Sequence, residues 1–220
     1  MKLLFAKIGN ASGMVAPVVW AAAIIYCGAL RPEFSHYHQY ISELGERTSV
    51  TEFIMRYAGF VPTGLMHIAF AACLYVAFGR RPIATLAALL IAINGVARIA
   101  AGLFPCEVGC AVPRLLLNQK IHTLAAVSGF FALITASLLW GVLFRQYKSL
   151  RVLSAYSIAS ACLALLFLAL TSWSDELRTG TGLYERISSG ALSVWLGVFA
   201  TRLWTLKAYD IPLRPTKNST

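Results

Sequence analysis

Apolar residues gather into six runs of membrane length, and short polar or proline-marked stretches separate them. Runs of about 20 apolar residues match a hydrocarbon core of roughly 30 Å. The pattern therefore predicts an all-α, polytopic integral membrane bundle of six transmembrane helices. Lipid offers no hydrogen bonds, so each span must satisfy its own backbone. A barrel would read as alternating ten-residue strands, and this chain does not. The helices are predicted at about 12–30, 52–78, 83–104, 120–144, 152–173 and 185–206. Arg31-Pro32 and Pro105 end the first and third, and Pro62 predicts a kink in the second. Residues 1–207 form one transmembrane domain, and 208–220 a cytoplasmic tail. A cleaved signal peptide also begins with bases before an apolar run. This run is long for one, and no polar cleavage region follows it.

Composition supports the membrane reading. The 220 residues are 58% hydrophobic and 13% charged, against about 25% charged in soluble domains. Charge then sets an orientation. The termini and even-numbered turns carry eleven bases, among them Lys2, Lys7, Arg80, Arg81, Arg145 and Lys148, and a single acid, Asp210. The odd-numbered loops balance their charges, so the net charge of +10 lies on one side. Lys and Arg stay cytoplasmic, so both termini are expected inside, in a bacterial inner membrane, with the odd-numbered loops outside. Nucleic-acid binding is not expected, because these bases are short turn flanks and not a continuous patch.

The longest polar interruption runs from Phe34 to Arg47 and holds His36, His38, Ser42, Glu43 and Glu46. The other outer-side polar groups, Glu107, His122, Asp175, Glu185 and Arg186, are expected to gather around it. Histidines with carboxylates suit acid–base catalysis, and His122, Glu43 and Glu107 are the catalytic candidates. A Ser-His-Asp set of Ser42, His122 and Asp175 can be drawn, but almost any polar surface offers one. Glu52 and Arg56 share a helical face.

Arg98 lies six residues, about 9 Å, inside the third helix. An intramembrane cation is a functional candidate by default. It is expected to point inward and meet an outer carboxylate, Glu43 first or Glu185 second, or to wait for an anionic group. Asn94 shares its face. The candidate ligand-binding set is Arg98, Asn94, His36, His38, Ser42, Glu185 and Arg186. His67 sits at mid-span, and no other histidine matches its depth for haem ligation, so a neutral imidazole bonded to a neighbouring helix is expected. Cys106 and Cys110 fall on the expected oxidising side, and a small disulfide clip between them is expected in place of free thiols. A zinc site would need further ligands, usually a second cysteine pair, so neither metal nor cofactor is expected.

Tyr40-Ile41-Ser42-Glu43-Leu44-Gly45, the segment Gly102–Cys110, His122 and Gly182–Ile187 together resemble domain-of-unknown-function family 998, a group of polytopic, mostly bacterial membrane proteins. Many members carry aspartate where this chain has Glu107. The Ile41–Gly45 segment more distantly resembles the Frag1/DRAM/Sfk1 membrane proteins, and that resemblance implies lipid handling. The expected function is binding a lipid or other amphiphile at the outer leaflet, with membrane lipids as partners. A membrane-protein partner or a second copy is left open. An outer-face hydrolase or transferase is the alternative, and a small-solute transporter the third. A transporter would be expected to show broken helices in matched halves, and no internal repeat supports one.

Overall fold

A computed structural model describes residues 2–79, 81–110 and 116–206. Arg80, Arg114, Lys207, Asp210, Arg214, Lys217 and the tail over 208–220 lie outside the described residues. Six long helices make up the fold: α1 (Lys2–Ala29), α2 (Glu52–Phe78), α3 (Pro82–Leu103), α4 (Leu117–Phe144), α5 (Arg151–Trp173) and α6 (Thr181–Thr205). The first five are long and apolar enough to cross a membrane. Helix α6 spans the bundle but is less apolar, because Glu185, Arg186 and Ser188 crowd its first turns.

Helix α1 starts ten residues earlier than the sequence pattern predicts. Asn10, which reads as part of a polar N-terminal stretch, is buried and donates to the Ala200 carbonyl at 3.0 Å. A partner on α6 satisfies its amide, so the polar residue does not end the helix. The Pro62 irregularity takes a definite form. Met55–Phe60 is a π-turn that ends two residues before the proline. Pro62 has no N–H to offer the preceding turn, and the Thr63 hydroxyl donates to the Gly59 carbonyl there at 2.7 Å. Side-chain donors of this kind make prolines tolerable in membrane helices.

Each helix packs against its neighbours in sequence, and α1 closes against α6, so the six form a ring. Asn10 meets Ala200, and Trp20 meets Ser189, so α1 and α6 are antiparallel and both termini of the bundle lie at one end. Helices α2 and α3 come into backbone contact at Gly64 and Gly95. A Cβ on either would lie 2.5–2.6 Å from the other's carbonyl oxygen. Small residues permit this contact where hydrophobic burial gives little drive between helices.

The two ends of the ring differ. Towards the termini, Phe70, Phe78, Trp140, Phe144, Trp195 and Phe199 fill the interior. Phe199 contacts Phe70 at 5.5 Å and Trp140 at 5.0 Å between ring centroids. At the other end the segments 30–51, 104–110 and 174–180 converge, and small residues such as Ala97, Ala101, Ala125 and Gly129 leave the interior hollow.

Candidate functional site

The loop from 30 to 51 folds over the hollow end and buries a short 3-10 turn, Ile41–Gly45, beneath its own surface. That turn carries Glu43, 3% exposed. Its Oε1 accepts from Arg178 at 2.7 Å and from the Tyr40 amide at 3.0 Å, and its Oε2 accepts from Gln39 at 2.9 Å. Arg178 also donates to the Gly109 carbonyl at 2.6 Å and lies 4.6 Å from the Tyr40 ring centroid. One guanidinium thus ties all three loops together. It does so from a left-handed backbone, φ 50°, a conformation unusual for a non-glycine residue.

Further bonds close the cap. Arg31 donates to the Glu43 carbonyl at 2.6 Å and pairs with Glu46 at 3.1 Å. The other Glu46 oxygen accepts from the Gly109 amide. Tyr40 donates to Asp175 at 2.6 Å. Burial, and then the Asp175 charge, push the Tyr40 phenol above its ordinary pKa. Cys106 and Cys110 are joined by a disulfide. Gln119 braces that clip by accepting from the Glu107 amide at 3.0 Å and donating to the Cys110 carbonyl at 3.2 Å.

Under this cap lie two cavities that share a wall. A chamber of about 70 Å³ sits on the ring axis, bordered by Trp20, Ser42, Asn94, Arg98, His122, Glu185 and Ser189. A groove of about 730 Å³ runs between the loop-end halves of α4 and α5. Its floor and sides are apolar, with Val127, Phe130, Phe131, Leu165 and Leu168, and its head is polar, with Tyr40, Cys110, Asp175, Arg178 and Glu185. Val127, Phe131 and Leu165 are also exposed on the outside of the ring, so the groove opens sideways. Ser42, His122, Ala126, Phe130 and Glu185 belong to both cavities.

His122 is fixed at this shared wall. Its Nδ1 faces the carbonyls of Phe104 at 2.9 Å and Ala101 at 3.2 Å. Only N–H can satisfy two carbonyl acceptors, so Nδ1 carries a proton. Nε2 has no partner among the described residues. Glu185 accepts from the Ile41 amide at 2.6 Å, which links the wall to the capping loop.

Arg98 points into the bundle as expected, but its expected carboxylate is absent. Among the described residues, no acid oxygen lies within 4.0 Å of it. Glu43 is occupied by Arg178, and Glu185 by the Ile41 amide. Arg98 instead rests on the Trp20 ring, 4.2 Å from its centroid, and makes one long bond to Thr63 at 3.4 Å. Its Nε is enclosed with no hydrogen-bond acceptor. Nor does Asn94 serve Arg98. Its amide oxygen is bonded to His67 Nδ1 at 2.7 Å, and its nitrogen donates to the Gly129 carbonyl at 2.8 Å. The expectation that His67 bonds a neighbouring helix is met by that contact.

The cap draws several predicted site residues away from the cavities. Arg186 donates to His36 at 3.2 Å, and burial followed by the Arg186 charge lowers the His36 pKa. His38 Nδ1 donates to the Arg178 carbonyl at 2.7 Å. Arg186 also holds the Gln39 carbonyl at 2.8 Å. Glu107 pairs with Arg47 at 3.3 Å. None of these four residues lines either cavity, and Glu43 does not either, so neither Glu43 nor Glu107 stands beside His122 as an acid–base partner. Ser42, His122, Glu185, Asn94 and Arg98 do converge. Asp175 lines the groove, but its Oδ1 accepts from Tyr40 and His122 Nδ1 is held by carbonyls, so no Ser-His-Asp relay is assembled. Among the described residues, no three His, Cys, Asp or Glu side chains gather as metal ligands. Arg178 is not among the residues that the sequence singles out. Its only sequence signal was its place in a polar loop, which does not show the buried carboxylate it meets.

The ring of long apolar helices defines a multi-pass membrane protein with a capped polar interior. Residues 14–202 match the family described as Protein of unknown function (DUF998), and the chain belongs to that family. No curated protein and no solved structure matches it.

Proposed function

We propose that this protein binds an amphiphile, with the tail in the groove between α4 and α5 and the head at the His122–Glu185 wall. The observation that carries this reading is the sideways opening of a 730 Å³ groove that is apolar at its sides and polar at its head. Mostly apolar clefts with a few convergent polar groups are the usual form of small-molecule sites. The likeness of Ile41–Gly45 to a lipid-handling family points the same way. The basic termini and turns support a cytoplasmic side for the opposite end, and on this reading the capped end faces outward and the amphiphile is drawn from the outer leaflet.

Two measurements test this. Ala169→Trp fills the groove without touching the cap, so a photoreactive fatty-acyl phospholipid should label α4 and α5 in wild type and not in the variant. Equal labelling of both would refute the reading. A cysteine introduced near Ser174, at the exposed Leu177, should react with an impermeant maleimide from outside intact cells. Reaction only after permeabilisation would reverse the orientation.

One observation favours the enzymatic alternative. His122 Nδ1 is fixed as a donor, which leaves Nε2 able to accept a proton at the wall of both cavities. A general base needs that geometry. If the amphiphile is also a substrate, His122→Gln should retain binding and abolish turnover.

A further inference from the structure

We infer that the axial chamber receives a phosphate group on Arg98, carried by the head of the amphiphile proposed above, an inference that rests on that reading. Three observations converge. Arg98 has an enclosed Nε with no acceptor, one long bond to Thr63, and no carboxylate within 4.0 Å. A guanidinium away from water is costly unless it is paired, and its planar fork fits a tetrahedral oxyanion in a bidentate way.

The second observation concerns the other donor. Ser189 accepts from the Trp20 indole N–H at 3.0 Å, so its own hydroxyl proton remains to be given to a group in the chamber. Trp20 therefore sets both donors, supporting Arg98 from beneath and orienting Ser189. Asn94, the remaining amide nearby, is fully committed to His67 and Gly129. The neutral network around the cation leaves it uncompensated.

The third observation is access. The chamber is about 70 Å³. One water needs about 10–15 Å³ of such space, so a tetrahedral phosphate fits where several waters would. Ser42, His122 and Glu185 line both the chamber and the groove, so a headgroup at the polar end of the groove lies one layer of side chains from Arg98. Glu185, where ionised, repels a phosphate at this wall, while the charge of Arg98 attracts one. The two residues therefore have opposite effects on affinity.

The test uses the full chain in nanodiscs of phosphatidylcholine containing about one tenth phosphatidic acid, read by native mass spectrometry. A second arm titrates inorganic phosphate into detergent-purified protein. Wild type should enrich phosphatidic acid over phosphatidylcholine. Arg98→Gln should cut that enrichment about tenfold or more, the scale of a lost charge-assisted pair. Glu185→Gln should raise it by a similar factor through removal of a like charge. If Arg98→Gln does not fold, the Glu185→Gln increase decides alone. Saturable, Arg98-dependent phosphate binding without lipid enrichment would support the same site with free phosphate as its source. Lipid retained in the groove with no preference between the two headgroups, and no phosphate binding, would overturn the inference and leave the amphiphile reading standing. Loss of all lipid in Ala169→Trp, with the phosphate titration unchanged, separates the groove from the chamber.

Discussion

Arg178→Ala should destabilise this protein by several kcal/mol, about 3–5. The substitution removes the cation paired with Glu43 at 2.7 Å and leaves a carboxylate whose side chain is 4% exposed. Glu43 would keep only neutral donors, the Gln39 amide and the Tyr40 backbone N–H. Breaking a buried ion pair from one side costs about 3–5 kcal/mol. The Arg178 side chain is 29% exposed, so solvent screens part of the interaction and the lower end, about 3 kcal/mol, applies. Loss of the Gly109 carbonyl bond adds about 1 kcal/mol. The left-handed backbone at 178 is equally unfavourable for alanine, so relieved strain does not offset the loss.

Thermal and denaturant unfolding in detergent micelles would measure this, with Glu43→Gln and the double variant completing a cycle. The double variant should recover much of the loss, because a neutral glutamine no longer needs a cation. A coupling energy near zero, or a loss below about 0.5 kcal/mol for Arg178→Ala, would refute the idea that this pair pins the cap.

Two further outcomes are expected. Gly64→Ala should cost about 1–3 kcal/mol, because its Cβ would lie 2.5 Å from the Gly95 carbonyl oxygen and force α2 from α3. Gly190→Ala, where a Cβ meets nothing within 4 Å, should be neutral or slightly stabilising, and equal losses in the two would contradict the packing argument. His36 accepts a bond from Arg186, and its pKa is lowered by burial and by that charge. The folded state therefore prefers the neutral ring. Its contribution is full above the ordinary histidine value of about 6.5 and is lost as pH falls below it. The unfolding temperature of wild type should drop between pH 7 and pH 5 more than that of His36→Gln, and parallel curves would exclude His36 as the cause.

Hydrophobic runs and prolines alone determined that the chain is a bundle of six helices, because the length of a span and the breaking of a helix are local properties. Charge in the turns bears on orientation for the same local reason. The Cys106–Cys110 clip was legible too, since the two cysteines stand four residues apart in one short loop between helices. The first boundary was not, because Asn10 looks like an end until its partner on α6 is known.

What only the tertiary structure decided is which charge meets which. Nine acids and nineteen bases admit many pairings, and choosing Glu43 for Arg98 was reasonable from depth and length. Ring closure instead brought loop 174–180 over the Ile41–Gly45 turn and gave Glu43 to Arg178. That left Arg98 on Trp20 beside a hollow which no periodicity announces. The hollow exists because the adjoining walls of α3 and α4 present only small residues, Ala97, Ala101, Ala125 and Gly129, to the ring interior at the end the aromatics do not fill. Pairing and cavity are relations between distant segments, and a sequence read along its length states only the partners available.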